Sequence, residues 1–548
     1  MLTATAPCRY RSGSSPGDNR RHVIRRVLVP VLSLIAIAAT ATSMSACASV
    51  GSASASPDDS FVSALYLEPK ALDPHRQVFW ETYRVSRNIF EPLVGEDLTT
   101  TSGVPDLEPV LATDWHPSDD GRTWTFGLRK GVTFHDGTPF TAASVEKNLR
   151  RVTDPDYEYY DEKSAGTAQL WFGDLASYRA VDDHTFSFTF NRPFLGFPRI
   201  LAQSMYTLPI GNPAVWEKYG NDGFADHPEG TGPYTFTSRT IGDRIELSRN
   251  EHYWGTEPKS PHLTFRVIPN NQTRVASLLN NEVDQISYVQ PDDVKMLESK
   301  GFQVPQGTAA ELIYFSFNAR NPAFLDPRVR EAVDLGIDRR ALADEVFNGY
   351  ATPQGTFFPP GNEAHSEAEE GRPYDPDTAR RLLSEAGHPA GSLHINLVID
   401  VANEALGQWL QAELRGIGID ADVVSLDRAS YSDRQYHPAA DDGLYIDEFG
   451  ETDAEWLYNA VNGLTNRGLD LDDYPDVTSS IDKALHTGDS AARMGLWQDA
   501  ERTVRSHTLA LPAVNLNRYY ALGKDVSGFT FASTNWYDLA PVTRGDNS

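Results

Sequence analysis

SLHINLVIDVANEALGQWLQAELRGIGIDADVVSL, residues 392–426, contains the order of segments that decides the fold. It begins with a strand-like apolar run, continues with apolar residues at helical spacing over 404–418, and ends in a second strand-like run at 419–426. Two strands joined by a helix form a β-α-β unit, and its crossover makes the two strands parallel. The stretch therefore predicts an α/β lobe.

Two further helices are predicted nearby from their first residues. Asp326-Pro327 and Asp375-Pro376 each place an N-cap acid before a proline at the first helical position. Gly387 is predicted to end the second of these helices, and Gly416 the helix of the β-α-β unit. The α/β lobe is thus expected to extend over roughly 310–510.

Residues of roughly 100–225 have a different texture, typical of antiparallel hairpins. In TWTFGLRKGVTFHDGTPF (123–140) apolar residues alternate on both sides of Lys130-Gly131, which predicts a hairpin with its turn there. HTFSFTFN (184–191) alternates again. Before this module, 61–68 is predicted to be a strand and 81–94 a helix.

Residues 1–60 read as an export and anchoring region. Arginines precede an apolar run at 27–46 that ends in small residues, as in a signal peptide spanning 1–46. This signal peptide is compatible with export by either the general secretory route or the twin-arginine route. A permanent amino-terminal membrane anchor is the alternative to cleavage. Residues 47–60 are predicted to comprise Cys47 and a flexible Ser/Ala-rich tether.

Ser45-Ala46-Cys47 resembles a bacterial lipobox, although Met44 replaces the more usual leucine. The resemblance implies that Cys47 becomes the lipid-modified first residue of the mature chain, anchored to the outer face of the cell membrane. The other cysteine of the chain, Cys8, would be removed with the signal peptide, so no disulfide is expected.

The composition excludes several classes of partner. The chain has 76 acidic against 48 basic residues and a net charge of −28, so nucleic acid and anionic headgroups repel it. A mean hydropathy of −0.42 argues against a multi-span membrane protein. The histidines are scattered without metal-ligand spacing, and neither a metal nor another cofactor is expected.

Six strings occur in a fixed order along the chain, and together they closely resemble family 5 of the bacterial extracellular solute-binding proteins. This family is the oligopeptide-, dipeptide- and nickel-binding group that serves ABC importers. The resemblance covers nearly the whole mature chain. The strings are FEPLV (90–94), DGRTWTFGLRKGVTFHDGTPFTAASV (120–145), GTGPYTF (230–236), ELSRNEHYW (246–254), LIYFSFN (312–318) and DPRVREAVDLGIDRRAL (326–342).

The resemblance implies an α/β, periplasmic-binding-protein-like type II fold, with two α/β lobes around a ligand cleft and an additional inserted subdomain. Crossings near 310 and 511 are expected to form a hinge, so that ligand binding favours the closed form. The expected ranges are 61–100, 226–310 and 512–548 for lobe I, 101–225 for subdomain II, and 311–511 for lobe III.

The resemblance also implies where ligand is contacted. In peptide-binding relatives the segment after the Leu-Asp-Pro of the first strand touches ligand, and here that segment is LDPHRQVFWETY (72–83). Packing between the lobes or in the core is the alternative role for each nominated side chain. The residues nominated from this segment and from matching positions elsewhere are Val78, Phe79, Trp80, Tyr83, Tyr445 and Asn515.

A second site implied by the resemblance is a loop with a Trp-x-x-Asp motif, whose acid holds the α-ammonium group of a peptide. Here the loop reads GLYIDEFGETDAEWLYNAV (443–461), and Ile446 and Phe449 stand at the Trp and Asp positions. The motif is therefore not intact, which keeps a non-peptide ligand open. Asp447 or Glu448 could serve instead after a small shift, and Asp453 could replace the more distal acid of the loop.

The expected function is capture of a small solute, first an oligopeptide or dipeptide, by a monomeric lipoprotein that delivers it to an ABC permease and breaks no bond. Alternatives with the same fold are a non-peptide ligand (a nickel chelate, an oligosaccharide, an opine or a siderophore-like molecule) and a sensor or cell-wall scaffold. A secreted hydrolase is the alternative from another class. GSSPG at 13–17 matches a nucleophile elbow, but it lies in the discarded leader with no strand before it.

Overall fold

The computed structural model describes residues 60–76, 80–164, 171–202, 208–366, 371–449 and 452–545, apart from the side chains of 308–310, 428, 429 and 449. These residues belong to one compact unit, Ala55–Ser548. No helix within the described ranges is long and apolar enough to cross a membrane. The predicted signal peptide, Cys47 and the tether up to residue 59 lie outside them.

The sheet of lobe I joins strands that are far apart in the chain. The first strand lies at its centre, parallel to both of its neighbours, and every other pair is antiparallel. This pairing supports the discontinuous lobe that the resemblance implies. In sheet order the strands are β18 (Ala521–Leu522), β11 (Gln285–Ile286), β1 (Ser60–Leu65), β10 (His262–Val267), β9 (Arg244–Arg249) and β8 (Tyr234–Thr240).

Subdomain II contains a four-stranded antiparallel sheet, in which Phe126 and Phe186 are fully buried. The alternation at 184–191 is confirmed as a strand. In sheet order the strands are β4 (Ala112–Pro117), β5 (Thr123–Leu128), β7 (Thr185–Phe190) and β6 (Leu175–Asp182), and a separate pair is formed by β2 (Val94–Glu96) and β3 (Leu107–Pro109).

The predicted hairpin over 123–134 is wrong in its second strand. β5 pairs with β4 and β7, so both of its edges are taken. Gly131 does turn the chain with a φ of +77°, and Val132 and Phe134 are buried in the same core. They alternate because one face is buried, and their segment makes only an isolated bridge between Thr133 and Pro139.

The sheet of lobe III contains the predicted β-α-β unit, because β14 and β15 are parallel neighbours with a helix between them. Apolar clusters cover both faces of the sheet. In sheet order its strands are β13 (Ala351–Pro353), β17 (Ala510–Tyr519), β12 (Gln306–Phe317), β16 (Asp442–Phe449), β14 (Leu393–Asp400) and β15 (Ile419–Leu426).

Helices pack on these sheets, and short strand pairs close the carboxyl terminus. The helices are α1 (Trp80–Ser86), α2 (Ala142–Thr153), α3 (Phe197–Ala202), α4 (Pro213–Phe224), α5 (Asn271–Leu279), α6 (Pro291–Ser299), α7 (Pro327–Leu335), α8 (Arg339–Ala341), α9 (Pro376–Glu385), α10 (Glu404–Gly416), α11 (Arg428–Tyr436), α12 (Trp456–Thr465), α13 (Pro475–Leu485) and α14 (Ser490–Ser506). The terminal pairs are β19 (Val526–Ser527) with β22 (Thr543–Arg544) and β20 (Thr530–Phe531) with β21 (Tyr537–Asp538).

The predicted helix starts in lobe III are confirmed. The carboxylates of Asp326 and Asp375 accept hydrogen bonds from backbone N–H groups of the first turns of α7 and α9. The predicted end of α10 at Gly416 is confirmed, and Gly418 then adopts the left-handed conformation (φ +95°) that reverses the chain. Helix α1 stops at Ser86 rather than near 94, since the Asn88 amide donates to backbone carbonyls of the last turn.

Two neighbouring antiparallel strands connect lobe III to lobe I. β12 and β17 pair from Gln306 opposite Tyr519 to Ser316 opposite Ala510, with a register shift between 308 and 311. The boundaries expected near 310 and 511 therefore fall inside the paired strands. The chain enters the lobe I sheet only beyond these strands, where Gln303 bridges Leu522.

Candidate ligand cleft

The segment after the first strand is held to subdomain II by buried charges. Asp73 accepts hydrogen bonds from Nη1 and Nη2 of Arg151 at 3.1 and 2.6 Å, and neither residue is exposed. Arg76 donates from Nε to Asp161 at 2.7 Å. Burial, together with the positive charge of Arg151, lowers the pKa of His75 to about 4, so its ring is neutral. The chain that leads into the cleft is thus fixed from one side.

Aromatic side chains continue from this segment into α1. Val78 and Phe79 lie outside the described residues, and their ligand contact stays a prediction. The half-buried Trp80 stacks on Trp536, with ring centroids 4.6 Å apart. Tyr83 is buried, meets Trp536 edge-on, and donates its hydroxyl hydrogen to a backbone carbonyl at 3.0 Å. The geometry gives Tyr83 a supporting position and leaves Trp80 as the surface residue.

Two tyrosines of lobe I lie next to the hinge strands, the connecting strands β12 and β17 at the expected hinge. The rings of Tyr66 and Tyr288 have centroids 4.3 Å apart, and the guanidinium of Arg518 in β17 lies 4.2 Å from the centre of the Tyr288 ring. Tyr288 has a φ of +57°, a left-handed conformation that costs a bulky residue about 1–3 kcal/mol and is concentrated at functional sites. Burial raises the pKa of Tyr66 to about 12, so its hydroxyl stays protonated.

A fully buried ion pair contacts the rings of Tyr288 and Trp80. Glu81 accepts a hydrogen bond from Arg84, whose guanidinium carbon is 5.5 Å from the Tyr288 ring and 6.0 Å from that of Trp80. Burial raises the pKa of Glu81 although Arg84 opposes the shift. The second carboxylate oxygen of Glu81 has no hydrogen-bond partner among the described residues. The ion pair that supports these rings therefore has a carboxylate whose hydrogen bonding is only partly satisfied.

Successive acids on β16 point in opposite directions, since side chains alternate along a strand. Asp447 is buried and forms a two-bond ion pair with Arg467, at 2.7 and 2.9 Å, and it also accepts from Gln435 at 2.6 Å. Arg467 itself lies 4.8 Å from the Tyr445 ring. The carboxylate of Asp447 is thus occupied by the core of lobe III.

Glu448 is the exposed acid of the pair and lies on the opposite face of β16. Its side chain accepts one hydrogen bond, from Asn403 at 3.1 Å. Burial raises the pKa values of Tyr66 and Tyr288, and the negative charge of Glu448 adds to both shifts, so its carboxylate is near enough to act on the tyrosines of lobe I. Glu448 therefore faces the other lobe with acceptor capacity to spare.

Of the remaining predicted residues, two are held by hydrogen bonds in the core, and the third has an amide without a partner. Tyr445 is fully buried and donates its hydroxyl hydrogen to Asp442 at 2.7 Å. Asp453 is also buried and accepts from the backbone N–H of Trp456 at 2.9 Å, where α12 begins. Asn515 is fully buried on β17, and neither atom of its amide has a hydrogen-bond partner in the described part of the chain. Among these three described residues, only Asn515 has a side chain without a hydrogen-bond partner.

The hinge strands carry their own ion pair. Arg518 of β17 donates two hydrogen bonds to Glu311 of β12. Asn535, in the carboxyl-terminal part of lobe I, adopts a φ of +65° and donates to the same carboxylate at 3.3 Å. Since Arg518 also stacks on Tyr288, the pair ties the two crossing strands to lobe I.

Three of the strings that carry the resemblance meet at one buried carboxylate. Glu91 accepts hydrogen bonds from Thr231 and Tyr253, both at 2.7 Å, and from the Trp254 indole at 2.8 Å. A Cβ on Gly230 would lie 2.3 Å from the backbone oxygen of Ile89, so the two chain segments pass closer than another residue allows. These residues therefore have a structural role.

Comparison with known proteins decides the family. Residues 106–458, more than half of the chain, match the model of "Bacterial extracellular solute-binding proteins, family 5 Middle". The chain belongs to this family. The glutathione-binding protein GsiB of Shigella dysenteriae serotype 1 is 30% identical to this solute-binding protein over 476 residues, with 84% of this chain and 89% of the relative covered.

Solved structures have the same fold. DppA of Helicobacter pylori, an ABC transporter-associated periplasmic binding protein solved with the peptide STSA, superposes with a TM-score of 0.78 at 24% identity, covering 88% of this chain and 98% of that one. A Pseudoalteromonas dipeptide-binding protein in complex with Met-Leu gives a TM-score of 0.79 at 22% identity, with coverages of 89% and 100%. The predicted α/β fold with two lobes is confirmed.

Several cleft residues of the solute-binding protein escape prediction from sequence. Tyr66 lies within the predicted strand 61–68, so only its role was missed. No motif surrounds Tyr288, Trp536 or Arg518. Each contacts a residue that is distant in the chain, Trp536 contacting Trp80 and Arg518 contacting Tyr288. Within the described ranges no group of three or more metal-ligating side chains is found.

Proposed function

We propose that this protein is the substrate-binding lipoprotein of an ABC importer, and that it captures a small peptide between lobes I and III through the peptide's α-ammonium group. The proposal includes lipid attachment at Cys47 outside the cell membrane, action as a monomer, and delivery of the closed form to a membrane permease. No step breaks a bond, and family membership supports a binding role.

The exposed carboxylate of Glu448 is the observation that carries the peptide proposal. Asp447 is already neutralised by Arg467, whereas Glu448 faces Tyr66 and Tyr288 of the opposite lobe. An ammonium group that reaches Glu448 gains a charge-assisted hydrogen bond and contact with aromatic faces. We therefore assign the anchoring role to Glu448 rather than to Asp447.

The neighbouring surfaces suit the rest of a peptide. The Trp80–Trp536 stack offers an apolar wall of the kind that accepts side chains of different shapes. The amide of Asn515 is fully buried, and within the described ranges its donor and its acceptor both lack a partner, a combination that a peptide bond satisfies. An unsatisfied buried amide costs roughly 1–3 kcal/mol, which a ligand that pairs with it would offset.

A non-peptide solute is the second candidate. Known relatives and neighbours with this fold include proteins named or solved with glutathione, Ni(L-His) and agropinic acid. The departure from the Trp-x-x-Asp pattern at Ile446 and Phe449 favours keeping such ligands in the test. Glutathione itself carries a free α-ammonium group and belongs in the same panel.

The test is a ligand panel on the protein lacking residues 1–47, which keeps the whole compact unit. Thermal shift is recorded with di- to octapeptides, N-acetylated copies of the same peptides, glutathione, nickel–histidine and oligosaccharides. A ligand that binds only the folded state raises the melting temperature by mass action. We expect free peptides to stabilise and acetylated copies to lose most of the effect. Stabilisation by another class alone would refute the peptide proposal.

Glu448→Gln and Asp447→Asn form a matched pair for the anchor. Glu448→Gln is expected to leave the melting temperature of the free protein unchanged and to weaken peptide binding at least about tenfold, or ~1.4 kcal/mol. Asp447→Asn is expected to destabilise the free protein by about 3 kcal/mol, because it leaves Arg467 buried without its partner. Normal peptide affinity in Glu448→Gln would reject the anchor.

A further inference from the structure

A second cavity, of about 490 Å³, lies between subdomain II and lobe III and shares no lining residue with the cleft described above. Its volume is within the roughly 300–1,000 Å³ of small-molecule sites. Its lining is mixed, with apolar side chains from both sides next to charged and polar ones. Its buried apolar lining residues are Trp171 and Phe194 of subdomain II and Val461, Ile481 and Leu485 of lobe III.

One cation lies in this apolar lining. Arg192 pairs through Nε with Asp174 at 2.6 Å, and its guanidinium carbon is 5.3 Å from the Phe194 ring and 6.0 Å from the Tyr458 ring. Its Nη1 is buried and has no hydrogen-bond partner among the described residues. An arginine cannot lose its charge, so this donor stays unsatisfied until an acceptor reaches it.

Exposed polar lining residues lie on and just after α13, and Gly173 is an exposed lining residue on the side of subdomain II. Thr478 and Asp482 lie one turn apart on that helix, followed by His486, which is 3.0 Å from Asp482. All three are exposed, whereas the apolar lining is buried. The cavity thus combines buried apolar side chains with a few polar groups, the arrangement of a ligand pocket rather than of a packing defect.

The two walls are brought together by a neighbouring contact. Glu455, at the start of α12, pairs with Arg493 at 2.8 Å and accepts from the backbone N–H of Gly196 in subdomain II. Phe194, two residues before Gly196, is itself a wall of the cavity. The cavity therefore exists in this form only while subdomain II touches lobe III.

We infer that this cavity is a second binding site, for an apolar group of aromatic size that carries a carboxylate or carbonyl oxygen. The apolar lining takes the ring and Arg192 donates to the oxygen. The group is either a side chain of the solute held in the cleft or a separate small molecule. Because its walls come from both sides, occupation favours the closed arrangement.

Isothermal titration with indole-3-acetate tests the site, with acetate and indole as partial probes. We expect one indole-3-acetate per chain with a dissociation constant of about 1 mM or tighter. Thr478→Trp, at an exposed position of the cavity lining, should weaken binding at least about tenfold, whereas the exposed neighbour Ser479→Trp should not. Arg192→Met should reduce the affinity for indole-3-acetate to that for indole.

The same variants distinguish the two sources of the group. If the cleft ligand supplies it, Thr478→Trp weakens tryptophan-containing peptides but not all-alanine peptides. If a separate molecule supplies it, indole-3-acetate tightens the binding of all-alanine peptides to the wild type. Glu448→Gln leaves indole-3-acetate binding intact, so this site is judged separately from the cleft. The inference is overturned if indole-3-acetate fails to bind, or binds equally well to Thr478→Trp.

Discussion

At the scale of single residues, burial decides which charged groups are free to act. Asp447 and Glu448 are neighbours of the same chemistry, yet one completes a buried ion pair and the other faces the opposite lobe. Glu91 is a third case, a buried carboxylate that holds together three distant strings of the chain. Burial raises its pKa from 4.5 to about 7, although its three donors and Arg129 oppose the shift.

Glu91 should make the folded protein sensitive to pH. Because the folded pKa is raised, the contribution of Glu91 is fully present below pH 4.5 and is lost as the pH rises towards about 7. Glu91→Gln keeps the shape and one acceptor oxygen, replaces the other oxygen by an NH2 donor, and cannot ionise. We expect it to reduce the fall in unfolding free energy between pH 4.5 and 7 by roughly 1–3 kcal/mol, measured by urea titration. An unchanged fall would contradict the assignment.

At the scale of elements, local signals predicted the helices of lobe III well. The Asp-Pro starts of α7 and α9 and the β-α-β unit were predictable because an N-cap, a proline and a period of 3.6 act within a few residues. The failed hairpin at 123–134 shows the limit of that approach. Alternation reports that one face is buried, but pairing partners are chosen across the sheet, and β5 takes β4 and β7.

The cap of α7 gives a direct test at this scale. Asp326 accepts from the backbone N–H of Arg328 at 2.9 Å, so Asp326→Ala leaves a first-turn donor without its partner. We expect a loss of about 1 kcal/mol in unfolding free energy, measured by urea titration. Asp326→Asn keeps the capping oxygen and removes the charge, and should retain most of the stability. Equal losses in both variants would assign the effect to the ion pair with Arg328 instead.

At the scale of the whole molecule, a small set of contacts joins lobe III to the rest. Arg493 and the backbone of Gly196 hold Glu455, and Thr452 donates to Glu96 of β2 at 3.4 Å. A Cβ on Gly196 would lie 2.8 Å from Oε1 of Glu455. Glu455 is buried and paired, so it cannot swing away cheaply.

Gly196→Ala should therefore oppose closure. We expect ligand affinity to fall about tenfold and the ligand-induced compaction seen by small-angle scattering to shrink, because overpacking costs about 1–3 kcal/mol in the closed form only. Gly488→Ala is the control, since a Cβ there meets nothing within 4 Å. If Gly196→Ala closes and binds as the wild type does, the contact does not limit closure.

The sequence by itself determined the family, the α/β class and the helix starts, because these depend on local patterns and on strings in a fixed order. It also limited the candidates for the proposed ammonium anchor to a few acids on one loop. Only the tertiary structure separated Glu448 from Asp447, since the choice depends on which face of β16 meets Arg467. Only the tertiary structure likewise revealed the positions of Tyr288 and Trp536 and the second cavity. Their partners come from segments more than 200 residues apart in the chain, and such long-range contacts leave no local pattern to detect.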